Sequence, residues 1–317
     1  MTDVLDAALA VLSRGALCHL AAPSPRGPHV TPVVFAVEGG RLWGTTGRGT
    51  TKARRWRRDG RAAGLVRAGE DWVSFRGRVS TYDLLDPSTW GDSIGRIREV
   101  TAASARFTLR NARFFAGYAR DVARVPLAWT PPARVLFSVD LEAGLVARGG
   151  HVVERWGRWG RGLDGAGAHR AVRDPLPDGG LPDDVRTLLT DRGEGTFALE
   201  GRYGPVVLPA RWTRSDGVFL VVIPGRQLAL AAAPARGVAS LVIERASRWR
   251  AAKMRGALIR GQAATLVPAE LRSGRRSLES AIRDIVDDDP EDVAVIRLRT
   301  RSVVWWHGWA SGTVGRP

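Results

Sequence analysis

What most constrains this chain is that part of it is written twice. Residues 27–43, Gly-Pro-His-Val-Thr-Pro-Val-Val-Phe-Ala-Val-Glu-Gly-Gly-Arg-Leu-Trp, align without gaps to residues 204–220, Gly-Pro-Val-Val-Leu-Pro-Ala-Arg-Trp-Thr-Arg-Ser-Asp-Gly-Val-Phe-Leu. Gly27, Pro28, Val30, Pro32 and Gly40 match Gly204, Pro205, Val207, Pro209 and Gly217. Each segment reads as a Gly-Pro turn, a β-branched and apolar run, a Gly-Gly or Asp-Gly turn and a second apolar run, the pattern of a β-hairpin. A length of 317 residues exceeds the usual size of one core. The repeat therefore predicts two similar domains in tandem.

Element order extends the match. Strands are expected at 15–22 and 195–201, preceded by helices at 3–13 and 182–191. Downstream, 60–67 aligns with 237–244 as a strand, and Phe75-Arg-Gly-Arg-Val79 aligns with Ile259-Arg-Gly-Gln-Ala263 in the next. Both copies then enter polar, helical sequence at 84–120 and 269–286 and end in strands at 134–139 and 293–299, the second adding a closing strand at 303–307. Gly149 to Gly180 is rich in Gly, Asp, Pro and Arg without a sustained period, which predicts a linker between domains at 1–148 and 181–317. Trp156 and Trp159 within it read either as anchors on a domain surface or as part of a loosely ordered excursion.

The first hairpin runs into Thr45-Thr46-Gly47-Arg48-Gly49-Thr50-Thr51-Lys52. A strand, a turn with two glycines and a helix starting near Thr50 would bring unpaired backbone N–H groups together with the hydroxyls of Thr46, Thr50 and Thr51 and the charges of Arg48 and Lys52. Every part suits a terminal phosphate. The plainer alternative is an ordinary strand-to-helix turn with a threonine cap. This loop is neither a Walker loop nor a dinucleotide fingerprint.

This order of elements, with His-Val-Thr-Pro-Val, Thr-Thr-Gly-Arg-Gly-Thr-Thr-Lys and Arg-Gly-Arg-Val in sequence, resembles the pyridoxamine 5'-phosphate oxidase-like family, and within it the branch of deazaflavin-dependent reductases. The resemblance covers residues 15–82. It implies a mostly β fold with flanking helices, two tandem FMN-binding split β-barrels forming an intramolecular pseudo-dimer that is compatible with a monomer. It implies FMN or a deazaflavin coenzyme, with haem as a lesser alternative since related split barrels bind it. Carried over by position, Thr50 takes the hydroxyl role and Lys52 the lysine role. Thr51 stands where the oxidases often have arginine, so Arg48 would supply that charge. The strand His29, Thr31, Val33 would lie along the flavin ring, completing a cofactor set of His29, Thr31, Val33, Thr45, Thr46, Gly47, Arg48, Thr50, Thr51 and Lys52. The second copy has Val222-Ile-Pro-Gly-Arg-Gln-Leu-Ala-Leu at the same place, keeping Gly225 and Arg226 but no Thr-Thr-Lys, so its site is expected to be degenerate. The implied function is hydride transfer to or from a small organic substrate; the alternatives are a flavin or haem carrier or sensor without turnover, and an interaction scaffold with no working site. No catalytic residue is identified.

The net charge of +16 raises the possibility of nucleic-acid binding, but the only lysines are Lys52 and Lys253 and the arginines are spread along the chain rather than gathered in a stripe. Nucleic acid is therefore not an expected partner. The dense run Lys52 to Arg58 reads as a short helix with a solvated cationic face, Lys52 and Trp56 sharing the other side; it is also suited to attracting an anionic coenzyme tail. One cysteine, Cys18 in Ala-Leu-Cys-His-Leu, excludes an internal disulfide and points to buried packing. His19, His29, His151, His169 and His307 lack metal-ligand spacing, and Asp287 to Asp289 read as a helix end or solvated loop. No apolar run is long enough for a membrane span and residues 1–14 read as an amphipathic helix, so the expected location is the cytoplasm.

Overall fold

The computed structural model describes residues 2–83, 86, 89, 94–121, 123, 125, 133–159, 180–190, 192–201, 203–215, 218–231, 235–245, 247, 250–266 and 293–315. The chain forms two compact units. The first comprises Met1–Ser24, His29–Arg158 and Ser247–Lys253, the second Pro25–Pro28, Trp159–Ala246 and Met254–Pro317.

In the first unit, helix α1 (Thr2–Arg14) precedes β1 (Cys18–Ala22), β2 (His29–Val33), β3 (Phe35–Glu38) and β4 (Arg41–Gly47). The short helix α2 (Thr51–Trp56), β5 (Arg61–Ala68) and β6 (Asp71–Tyr82) follow, then α3 (Ile94–Arg110), α4 (Ala112–Arg120), β7 (Arg134–Arg148) and β8 (His151–Trp156). The sheet order is β2-β1-β5-β6-β7-β4-β3, with β8 added to β7. Its two ends, β2 and β3, are consecutive in the chain, so the sheet curls into a barrel with a seam. Leu20, Val33, Phe35, Leu42, Phe75, Phe137 and Val139 fill it, and Ala8, Val11 and Leu12 of α1 join the same core. These α1 residues recur at helical spacing, which is why that helix docks by one face. Arg110 of α3 donates to the carbonyls of Leu12 and Gly15, satisfying acceptors at the end of α1.

The second unit repeats the plan with α5 (Asp183–Leu188), β9 (Arg192–Gly201), β10 (Gly204–Ser215), β11 (Val218–Pro224), α6 (Gly225–Leu230), β12 (Arg236–Arg245), β13 (Arg255–Thr265), β14 (Val293–His307) and β15 (Ala310–Gly315). Its sheet runs β11-β10-β9-β12-β13-β14-β15, and an added β11–β14 pairing closes six strands into a barrel. Both units are split barrels.

Their registers coincide. Under the offset that sets Gly27 on Gly204, the pairs Cys18↔Val33, Leu20↔Thr31, Phe35↔Gly44 and Val37↔Leu42 become Gly195↔Ala210, Phe197↔Leu208, Trp212↔Val221 and Arg214↔Phe219, all of which are formed. A bulge breaks the ladder at Arg76/Gly77 in one unit and at Arg260/Gly261 in the other, the two positions paired by sequence. A Cβ at Gly77 would strike the Asp140 carbonyl, and one at Gly261 the Arg299 carbonyl. Glycine is required at both because the bulge brings the neighbouring backbone that close.

Three expectations need correction. The stretch expected as a linker from residue 149 contains β8, whose Trp156 is buried in the first unit and donates to the Leu141 carbonyl. Residue type does not mark the buried face of β8, since Val153 is exposed while Glu154 is half-buried. The last strand of each copy is longer than expected, Arg134–Arg148 and Val293–His307, so 293–299 and 303–307 are one strand and the closing strand is β15 beyond them. Residues 269–286 and Asp287 to Asp289 lie outside the described residues.

Candidate functional site

The seam of the first barrel places the candidate residues. β3 and β4 are paired from Glu38↔Arg41 to Phe35↔Gly44. Beyond that point Thr45, Thr46 and Gly47 pair with Leu136, Val135 and Arg134 of β7, while β2 pairs with β1. β2 and β4 still approach each other across the split. His29, Thr31 and Val33 thus form one lip of the split, and Thr46, Gly47, Arg48 and Thr50 the other. His29, Thr31 and Val33 stand opposite Ala22, Leu20 and Cys18, so all three share the core-facing side of β2, with Val33 buried and the other two half-buried.

The loop between β4 and α2 is held by its own side chains. Thr50 caps α2, its hydroxyl accepting from the Ala53 N–H at 3.3 Å and donating to the Gly47 carbonyl at 2.8 Å. The hydroxyls of Thr46 and Thr50 lie 3.0 Å apart. The Arg48 N–H donates to the Ala133 carbonyl, and its guanidinium pairs with the buried Asp83 carboxylate at 2.7 Å. Gly49 and Thr50 are exposed, and no atom lies within 4 Å of where a Cβ on Gly49 would stand. α2 has six residues, too short for a strong dipole, so any anion here depends on hydroxyls, Arg48 and the open space at Gly49.

Lys52 is turned inward rather than toward the loop. It is 5% exposed, its Nζ lies 5.9 Å from the centre of the Trp56 ring, and the face the two share is the buried one. Burial lowers its pKa from 10.5 to about 7; Cys18 opposes that shift and Arg134 adds to it. The same burial pushes the Cys18 thiol far above its ordinary value. Arg54, Arg57 and Arg58 are exposed, forming the expected cationic face, while Arg55 is half-buried.

Thr45 and Thr46 alternate, as neighbours in a strand must. Thr46 is buried beside Thr50, while Thr45 faces the other side of the sheet, under α3 and α4. There Arg134 donates from Nε to the Thr45 hydroxyl and from Nη2 to the Thr45 carbonyl, both at 2.9 Å. Of the expected set, Thr45 and Lys52 therefore point away from the split. Thr51, half-buried, opens α2. Asp83 and Arg134 were not anticipated. Each reaches the loop from a strand end distant in sequence, and nothing local in the sequence marks either.

In the second unit β11 ends at Pro224 and α6 begins at Gly225. The turn Arg48-Gly49-Thr50 has no counterpart, and Pro224 caps α6 without a side-chain hydrogen bond. Among the described residues, no group of three or more His, Cys, Asp or Glu is placed to hold a metal ion, and no helix is long and apolar enough to cross a membrane.

No family model matches the chain. No curated protein matches it either. Among solved structures it is similar to a Listeria innocua protein provisionally assigned as a pyridoxamine 5'-phosphate oxidase, with 15% identity over 45% of this chain and 96% of that one and a TM-score of 0.30. It is also similar to a heme binding protein from Mycobacterium smegmatis, with 21% identity over 42% of this chain and 56% of that one and a TM-score of 0.31. An F420 reductase matches with 23% identity over 43% of this chain and 93% of that one, at a TM-score of 0.29. Each match covers less than half of this chain, and at these identities the likeness concerns fold alone.

Proposed function

We propose that the first unit holds the phosphate end of a flavin or deazaflavin coenzyme at the loop of residues 46–52, with the ring along the lip formed by His29, Thr31 and Val33, and that the protein is an oxidoreductase acting on a small organic substrate. The observation that carries this reading is the split itself: strand pairing stops at Phe35 and Gly44, and hydroxyls, an arginine and an exposed glycine gather at the opening. The donor set fits an anion. Gly49 leaves room, Arg48 is oriented by Asp83 while remaining partly exposed, and the Thr46 and Thr50 hydroxyls, bonded to each other and to the Gly47 carbonyl, would turn to donate to the anion. When bound, such a coenzyme supplies the hydride chemistry through its ring. This chain's residues bind and orient. Lys52 would take up a proton at Nζ, because a nearby dianion stabilises the ammonium that burial disfavours.

The matching registers support a further part of this reading, that the two halves descend from one ancestral barrel and that the second has lost its coenzyme loop. Calorimetric titration with FMN should then give one site per chain. Arg48→Ala should weaken binding by about 1.5 to 3 kcal/mol, the scale of a charge-assisted contact; unchanged affinity removes Arg48 from the site, and two sites per chain overturn the asymmetry. The mass and absorption spectrum of a copurifying small molecule distinguish FMN from a deazaflavin. An interaction scaffold with no working site is the second reading, favoured by the internal pairing of Arg48 with Asp83 and of Thr46 with Thr50; absence of saturable FMN binding would establish it, and stopped-flow reduction of a loaded protein separates a carrier from an enzyme.

A further inference from the structure

The sheet face turned away from the barrel core carries a cavity. α3 and α4 cover that face and enclose this cavity, of about 370 Å³, against β4, β6 and β7. Its volume lies in the range of small-molecule pockets. Val100, Phe107, Phe115 and Leu136 give it apolar walls, with the Tyr82 ring beside them. Tyr82 is itself fixed by stacking on buried Trp43 at 5.5 Å between ring centres. The break between the two helices is pinned by Asn111, whose amide donates to the Phe35 and Phe107 carbonyls, so this roof is built rather than incidental.

Among the described residues that line the cavity, Arg134 is the cation. Its guanidinium plane is fixed by the two hydrogen bonds to Thr45. Desolvation pulls the Arg134 pKa down, and Tyr118 nearby has its phenol pushed up by burial. Among the described lining residues there is an arginine and no aspartate or glutamate. A positive, oriented fork at the end of an aromatic and aliphatic chamber matches a ligand with one carboxylate and an apolar, ring-bearing body.

We propose that this cavity binds an organic monocarboxylate of that kind, its carboxylate on Arg134 and its ring among Phe107, Phe115 and Tyr82. The site is distinct from the coenzyme split, since Thr45 and Thr46 point to opposite faces of β4, and it does not depend on the coenzyme reading. Ser104 and Thr108 of α3 also line the chamber and can be enlarged to fill it.

The test is calorimetric titration of the full chain with 3-phenylpropionate and with 3-phenylpropionamide, its uncharged counterpart. The acid should bind at least about tenfold more tightly than the amide. Arg134→Met should erase that preference, and Ser104→Phe should abolish binding of both while leaving the thermal unfolding midpoint near that of the parent. Saturating FMN should leave the acid's affinity within about twofold, the scale of near-neutral effects. Absence of saturable binding, equal binding of acid and amide, unchanged binding in Ser104→Phe, or competitive displacement by FMN each overturn the proposal. Should Arg134→Met fail to fold, the acid-amide comparison in the parent and the Ser104→Phe result decide it alone.

Discussion

Lys52 makes the stability of the first unit depend on pH in a way that can be worked through. An ordinary lysine pKa of 10.5 falls to about 7 in the folded protein because the ammonium is buried. Between these values the unfolded chain binds more protons than the folded one, so stability rises with pH across that window. At about 1.4 kcal/mol for each tenfold change in proton affinity, the penalty below pH 7 is about 5 kcal/mol. Raising the pH from 7 to 9 should recover about 2 kcal/mol of it. Cys18 acts in the opposite sense. Its ordinary value of 9.0 is pushed far upward by burial, so above pH 9 the unfolded chain loses a proton that the folded chain keeps, and stability falls with pH on that account. The two slopes should nearly cancel above pH 9, giving a rise and then a plateau. Urea unfolding read by tryptophan fluorescence, compared between the parent and Lys52→Met at each pH, isolates the lysine from other titrating groups. Lys52→Met should be the more stable at pH 7, its advantage shrinking by about 2 kcal/mol at pH 9. Cys18→Ala should let the parent's rise continue past pH 9. A parent-to-variant difference that is flat from pH 7 to 9 would refute the buried-ammonium reasoning.

Coenzyme affinity should fall modestly as pH climbs above about 7, because the buried Lys52 then loses the charge whose field favours a nearby anion; fluorescence titration of FMN at pH 6.5 and 8.5 checks this, and the fall should vanish in Lys52→Met. Gly77→Ala forces a Cβ against the Asp140 carbonyl at the bulge, a change expected to cost about 1 to 3 kcal/mol in chemical denaturation, as overpacking does. Gly95→Ala, in α3 with nothing within 4 Å of the new methyl, should instead stabilise by up to about 1 kcal/mol. Thr50→Ala removes the α2 cap and the partner of the Thr46 hydroxyl and should cost about 1 kcal/mol in the same assay; no loss would mean the cap contributes nothing.

Much of the framework was local and therefore legible. The Gly-Pro and Gly-Gly turns with alternating apolar residues define the hairpins, and because a slip of one residue would turn every side chain to the wrong face, they define the register too. That is why the alignment of residues 27–43 with 204–220 carries over intact to the strand pairs. The Arg-Gly match at 76–77 and 260–261 was also visible, though its meaning as a bulge required the partner strand. The loop was found for the same reason: threonines and glycines between a strand and a helix are a local signal.

What the side chains of that loop do was decided elsewhere. Lys52 faces Cys18 because α2 packs against β1, and Thr45 and Thr46 differ in role because β7, nearly ninety positions away in sequence, determines which face of β4 is inside. Arg48 meets Asp83 and Thr45 meets Arg134 through strand ends that only the closed sheet brings together. Short-range patterning in the sequence determined that this chain makes two hairpin-built barrels and where the first one opens; long-range pairing in the tertiary structure decided which residues at that opening are exposed, engaged or buried, since burial and charge pairing depend on partners that no local spacing encodes.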